Sequence, residues 1–299
     1  MKILIFAGGP VRKLDAFVEA AKKLNIELTV ASFSEVTYES GDKYRLFAGE
    51  HDIADFSLIY FRVVGKRIED ATLVANYAKE HGIRLVDKLY VSSLLLPSSI
   101  SKAAETAKLI SAGIPMPKTI YGSLEYLSKV APQELGLPFI IKSTTGKKAR
   151  EVWIVEDVGA LRATPLQEGL YSELRDMEKA GIRFFAQEFV KASMRYRVFV
   201  LGGEVVATLA QPTKWRKRFN QDELEKGLVS QPTSEMGDLA IRATDAAGLD
   251  ISGVDILKVD ETGELMVIEA NAAPSWKLVE KYTGKNMAEE ILKFLISNY

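Results

Sequence analysis

Two segments near the C-terminal end, Gly253-Val254-Asp255-Ile256-Leu257-Lys258-Val259-Asp260 and Leu265-Met266-Val267-Ile268-Glu269-Ala270-Asn271-Ala272-Ala273-Pro274, set carboxylates inside Val/Ile/Leu-rich runs joined by an acidic turn. Such runs read as a strand hairpin. An ionised carboxylate is costly to bury there unless it is paired or coordinated. Strand alternation places Val267, Glu269 and Asn271 on one face, and pairing of the two segments brings Asp255 to that face. The plain alternative is that Asp255 and Glu269 are ordinary polar-face residues of a hairpin. Against it, Asn-Ala-Ala-Pro after the second segment is a poor turn-maker where glycine would serve. Three hard oxygen donors suit Mg2+, which takes carboxylate and amide oxygens and keeps positions open for substrate phosphates; Mn2+ accepts the same donors. A metal-bound nucleotide is the first hypothesis.

The rest of the chain bounds what could surround such a site. At 299 residues it exceeds the size at which single cores usually stop growing, so two or three subdomains are expected. Lys and Arg number 39 against 40 Asp and Glu, so no global field favours nucleic acid or an anionic membrane. Cysteine is absent, which excludes disulfides, thiolate nucleophiles and Cys-zinc sites. The two histidines, His51 and His81, lie in polar surroundings (Gly-Glu-His-Asp; Lys-Glu-His-Gly) and read as surface residues, so a His-dependent triad is not expected. The apolar run at the start is too short for a signal peptide, and no stretch approaches the roughly 18 uninterrupted apolar residues of a membrane span. A cytoplasmic location is expected.

Along the chain, strand-like runs at 2–7, 28–33 and 58–61 alternate with helical periodicity at 14–24 and 72–81, the pattern of a small α/β domain with a parallel sheet. Gly8-Gly9 is followed by Pro10 and reads as a plain turn rather than a phosphate loop. Pro97-Ser98-Ser99-Ile100-Ser101 marks a domain boundary, with Ser101 as candidate N-cap of a helix that begins at Lys102 and stops at Gly113-Ile114-Pro115-Met116-Pro117. The strand Pro138-Phe139-Ile140-Ile141-Lys142 leads through a small polar loop (143–150) to a strand at 151–156, the geometry of a flap whose amides can cover a triphosphate. A helical region to about 180 precedes the strand Phe184-Phe185-Ala186-Gln187-Glu188-Phe189-Val190. Strands at 197–201 and 204–211 flank Gly202-Gly203, a hairpin turn. The only concentrated basic run is Lys214-Trp215-Arg216-Lys217-Arg218, followed by Phe219-Asn220; it suits a solvated loop, a single-stranded nucleic-acid contact or an active-site loop. An amphipathic helix is expected from Tyr282 through Phe294.

Gly-Val-Asp-Ile-Leu followed by Val-Ile-Glu-Ala-Asn-Ala-Ala-Pro resembles the magnesium signature of the ATP-grasp superfamily. The chain looks most similar to the RimK-like ligases, which add glutamate to the tail of a ribosomal protein, and their amino-acid-ligating relatives. The resemblance spans about 100–299 and keeps one order of motifs: helix-opening lysine, strand-end lysine, flap, Gln-Glu strand, Asp, then Glu-x-Asn. It is weaker over the N-terminal part, including Phe61-Arg62-Val63-Val64-Gly65. The fold it implies is an ATP-grasp fold, two α+β subdomains (98–186 and 187–299) gripping ATP, preceded by a small parallel-sheet α/β substrate domain (1–97).

The activity the resemblance implies is ATP- and Mg2+-dependent joining of a carboxylate to an amine, on small molecules or peptides, through an acyl phosphate. It assigns Asp255, Glu269 and Asn271 to the metal. Lys102 and Lys142 would meet the α and β phosphates, and the backbone of Gln187-Glu188-Phe189-Val190 the adenine edge. Lys214 and Asn220 would contact phosphates, with Arg216, Arg218 and Arg197 at the reacting carboxylate. Two features depart from the family: the flap has one glycine and three cations, and Arg195 stands where relatives carry an acid. Other classes that fit are an inert ATP-grasp nucleotide-binding module, an ATP-grasp phosphotransferase, and a nucleic-acid binder using 214–218. No membrane or nucleic-acid partner is expected, and a homo-oligomer is compatible with the chain.

Overall fold

The computed structural model describes residues 1–40, 44–91, 102–144, 151–157, 159, 170–213, 228–229 and 232–298. Its first strand, β1 (Lys2–Ala7), is apolar on both sides of the pleat, and both sides are buried. Leu4 and Phe6 enter one core; Ile3, Ile5 and Ala7 enter another. β2 (Glu27–Ser32) pairs with it in parallel. An antiparallel meander of β3 (Val36–Ser40), β4 (Tyr44–Ala48) and β5 (His51–Asp52) follows, where the sequence reading places no strands. β6 (Leu58–Val63) and β7 (Arg84–Leu85) complete a parallel sheet of order β2-β1-β6-β7.

Helices cover both faces, as parallel sheets require. α1 (Asp15–Leu24) brings Phe17, Ala20 and Ala21 to Ile3 and Ile5, and α2 (Ile68–Glu80) brings Val74, Tyr77 and Ala78 to Leu4 and Phe6. α2 begins before Thr72, with Glu69 and Asp70 in its first turn, where the helix dipole favours acids. A short α3 (Lys88–Val91) ends the unit's described part.

α4 (Lys102–Ser111) leads into a second, antiparallel sheet. Its strands are β8 (Thr119–Gly122), β9 (Phe139–Ser143), β10 (Val152–Val155) and β11 (Phe184–Glu188), in the order β10-β9-β11-β8. α5 (Leu124–Leu135) and α6 (Leu170–Lys179) close one face over Phe139, Ile141, Phe184 and Ala186, a core separate from the others. Alternation turns Lys142 and Gln187 to the opposite face.

The third sheet runs β14-β13-β12-β15-β16, antiparallel throughout. It comprises β12 (Met194–Leu201), β13 (Glu204–Pro212), β14 (Leu228–Val229), β15 (Ile251–Lys258) and β16 (Leu265–Asn271), with α7 (Ser234–Ala247) before β15. Gly202 and Gly203, at φ +60° and +81°, close the β12–β13 hairpin, the left-handed pair of a type I′ turn. Val198, Val200, Val254 and Ile256 pack under α7 into the core of Leu4 and Phe6. Phe199, Leu201 and Ile251 join the core of Ile3 and Ile5. The N-terminal and large sheets thus share two cores. The closing helical region is two helices, α8 (Lys277–Thr283) and α9 (Met287–Asn298), not one from Tyr282. The break falls at Gly284, at φ +69°, after which Asn286 Oδ1 accepts from the Glu289 amide and caps the new helix.

Candidate active site

A narrow cleft opens between the small sheet and the edge of the large one. It is lined by Lys102 and Glu105 of α4, Thr119, Lys142 and Gln187 of the small sheet, and Ile268 and Glu269 of β16. Lys142 Nζ donates to Gln187 Oε1 at 2.5 Å, and Gln187 Nε2 donates to Thr119 Oγ1 at 2.9 Å, so three strands fix one ammonium. Burial pulls that ammonium down to about 8; Lys102 pulls the same way, and Glu269 and Asp255 oppose. An ammonium so desolvated gains most from an added polyanion. Gln187 is buried, and Glu188 donates its amide to the Lys118 carbonyl at 2.9 Å. From there Phe189 and Val190 begin the crossing to the large sheet. Asp260 pins that crossing by accepting from Ser193 N and Oγ at 2.8 and 2.9 Å.

On the large sheet, Asp255 lies opposite both Arg197 and Glu269 in register. Arg197 holds Asp255 in a two-pronged pair, Nε to Oδ1 at 2.7 Å and Nη2 to Oδ2 at 2.6 Å. Arg195 adds a second cation at 3.8 Å and donates to Gln211 at 2.9 Å. Two arginines therefore share one buried carboxylate. Asn271 Nδ2 donates to Glu269 Oε1 at 2.9 Å, and Glu269 stands opposite Asp255 in register, so the three candidate ligands lie on neighbouring positions of two paired strands.

The shared face expected for Val267, Glu269 and Asn271 is corrected. Val267 is buried in the core, and the register shifts between Asp255 and Ile256, so Ile268 is an extra residue on β16. This bulge rotates Glu269 and Asn271 away from the core.

Glu105 was missed by the sequence reading. Its Oε1 accepts from the Ala270 amide at 2.8 Å, and the Pro115 carbonyl accepts from Val267 at 2.8 Å, so β16's outer edge is covered rather than bare. Burial pushes the Glu105 carboxyl up to about 7, against the Ala270 amide and Lys102, with Glu269 adding to the rise. One signal was present: Glu105 stands three residues after Lys102, on the same helix face.

The donor set of Asp255, Glu269 and Asn271 is all oxygen, with Glu269 on the cleft beside two lysines, and its chemistry fits a hard divalent cation bound with phosphates, while both Asp255 oxygens accept from Arg197 in this structure. Among the described residues no group of three His, Cys, Asp or Glu gathers to hold a metal, and this candidate set has two carboxylates with an amide as its third member. Lys214, Arg216, Arg218 and Asn220, the candidate cap Ser101 and flap residues 145–150 lie outside the described residues. His51 and His81 are exposed, the latter with Nδ1 2.9 Å from the Tyr77 carbonyl.

A family model described as the RimK-like ATP-grasp domain matches residues 100–295. The chain belongs to the RimK-like ATP-grasp family. A probable alpha-L-glutamate ligase of Haemophilus influenzae is 29% identical over 196 residues, covering 64% of this chain and 60% of the relative. N-acetylaspartylglutamate synthase A of Homo sapiens is 30% identical over 205 residues, covering 67% of this chain and 49% of the relative. This RimK-like chain thus spans between half and three-fifths of the length of those curated relatives. Solved structures match along nearly the whole chain and share its fold. The ATP-grasp ligase PsnB, complexed with a minimal precursor, superposes with a TM-score of 0.71 at 20% identity, covering 99% of this chain and 98% of that one. Macrocyclase MdnC of Microcystis aeruginosa MRC, bound with precursor peptide MdnA, gives 0.67 at 12% identity, with both chains fully covered. Among the described residues no helix is long and apolar enough to cross a membrane.

Proposed function

We propose that this chain is an ATP- and Mg2+-dependent ligase that joins a carboxylate to the amine of an amino acid or peptide through an acyl phosphate, releasing ADP and phosphate. The supporting observation is the meeting of two charge sets on one cleft: Lys102 and Lys142 from the small-sheet side, and Glu269 with its partners Asn271 and Asp255 from the large sheet. The names of the relatives, a glutamate ligase and an N-acetylaspartylglutamate synthase, and the Mg and ADP present with precursor in a PsnB complex support the same substrate class.

Carboxylate and amine do not condense at neutral pH, so the carboxylate is activated first. Its oxygen attacks the γ-phosphorus, the bond to the bridging oxygen breaks, and ADP leaves. The amine then attacks the acyl carbon, phosphate leaves, and the amine gives up its proton. Asp255, Glu269 and Asn271 would hold Mg2+, which would supply charge neutralisation and Lewis acidity for phosphoryl transfer. Lys142 and Lys102 hold the α and β phosphates, with Lys142 pre-aimed by Gln187. The backbone of Gln187, Glu188, Phe189 and Val190 receives the adenine. Arg216 or Arg218 holds the reacting carboxylate and the charge of the tetrahedral adduct; Arg197, whose Nε and Nη2 are committed to Asp255, adds its charge to that end of the site, and Lys214 and Asn220 contact phosphate. In this reading 1–97 presents substrate, while 98–186 and 187–299 grip the nucleotide.

Oxygen-18 in the substrate carboxylate tests the route. The label is expected in the released phosphate, with ADP as the other product. Label in AMP, or phosphate release that does not depend on a carboxylate, would reject it.

A further inference from the structure

Arg62, at the end of β6 in the N-terminal sheet, reaches across to the loop that leaves the Glu-x-Asn strand. Its Nη2 donates to the Pro274 carbonyl at 2.7 Å, and its guanidinium stacks on Trp276 at 3.8 Å from the ring centroid. Trp276 is itself buried, edge-on to Phe17 of α1 at 5.8 Å. Nη1 of Arg62 is buried without a partner among the described residues. A guanidinium held this way has a fixed direction, because both its plane and one of its donors are committed.

Pro274 in turn rests on the metal strands. A Cβ on Gly253 would lie 2.6 Å from Pro274 Cβ, so the loop lies flush against β15 there. Gly253 pairs with Asn271 and stands two residues before Asp255. Arg62 thus grips, from another domain, a loop that packs on Gly253, the strand neighbour of Asn271.

We propose that Arg62 is a positioning residue for the metal–nucleotide site, setting Asn271 and Glu269 through Pro274 and so making the site depend on the docking of the N-terminal domain. This rests on the magnesium–nucleotide reading above. Partners behind metal ligands orient them without touching the metal.

The test reads Mn2+ binding to the full chain with ADP by electron paramagnetic resonance, beside metal-free ADP affinity and turnover. Arg62→Met keeps the stem and removes the guanidinium. Mn2+ affinity should fall about tenfold, the low end for loss of an outer partner, with metal-free ADP affinity unchanged and kcat reduced more than the KM for ATP is raised. Arg62→Lys, which retains a donor for the Pro274 carbonyl, should recover most of the loss. Unchanged Mn2+ affinity in Arg62→Met overturns the proposal, as does an equal loss of metal-free ADP binding, which would mark a general packing role. If Arg62→Met fails to fold, Trp276→Phe decides: narrowing the ring under the cation should weaken Mn2+ binding by about threefold, in the range of a cation–π contact, and no change overturns the idea. Asp255→Asn with Glu269→Gln is the control. If wild type binds Mn2+ with ADP no better than this control, the metal reading and the Arg62 role fall together. If the control loses Mn2+ and Arg62→Met does not, only the Arg62 role fails.

Discussion

Lys142 shows how far single residues could be read. A lysine ending an apolar strand is common wherever strands meet solvent, yet here it is buried, bonded to Gln187 and lowered to about 8. Replacing it with Met should weaken ATP binding by about 1.5–3 kcal/mol, the range for hydrogen bonds to charged groups, measured by calorimetry. The pH dependence has a definite sign. Phosphates stabilise the ammonium, so its pKa in the complex exceeds the free value of about 8. ATP binding above pH 8 therefore takes up a proton, and affinity falls as pH rises. Calorimetry in two buffers of different ionisation enthalpy should show that uptake in the wild type and none in Lys142→Met. Residues such as Asp255, Glu269 and Asn271 were legible because each is polar inside an apolar run. Glu105 was not, since its burial depends on an amide 165 residues away.

At the scale of elements, the hairpins and α/β alternation follow from periodicity, whereas the bulge at Ile268 does not, because no residue type marks it. Its result is that two successive residues, Ile268 and Glu269, line the cleft while Val267 and Ala270 are buried. The meander at 36–52 escaped for another reason: its short strands pack Leu46 and Ala48 against the core built by β1 and α2, and local pattern carries little of that. Gly253 is a testable joint between elements. A methyl added there meets Pro274 Cβ at 2.6 Å, so Gly253→Ala must push the loop off β15. Overpacking of this kind costs about 1–3 kcal/mol. Denaturant unfolding should show that loss, together with reduced metal affinity, since the displaced loop carries the chain on from Asn271.

The whole molecule is organised by how the N-terminal domain docks, which charge patterning along the sequence does not disclose. Arg62 clamps one point of the junction and Asp87 another. Asp87 is fully buried, in the left-handed region at φ +69°, and its Oδ1 accepts from the amides of Asp250 and Ile251 at 2.7 and 3.2 Å. Asp250 returns the contact by accepting from the Asp87 amide at 3.1 Å, and the Gly248 carbonyl accepts from Leu89 at 2.7 Å. Such a backbone conformation persists for a non-glycine only where surroundings over-determine it. Burial raises the Asp87 carboxyl to about 7, with Asp250 adding to the rise and the two amides opposing it. In the unfolded chain an aspartate titrates near 3.9. Between those values the native state keeps a proton that the unfolded state has released, so stability falls as pH rises from about 4 to 7 and levels off above. Asp87→Asn keeps the acceptor for both amides and is neutral at every pH. Moving from about pH 5 to about pH 8, the wild type should lose on the order of 2–3 kcal/mol relative to this variant, two pH units of linkage at about 1.4 kcal/mol each. Urea unfolding of both proteins at the two pH values measures the difference. Parallel changes in the two would mean that Asp87 enters the junction already ionised, and that docking of the N-terminal domain is insensitive to its proton.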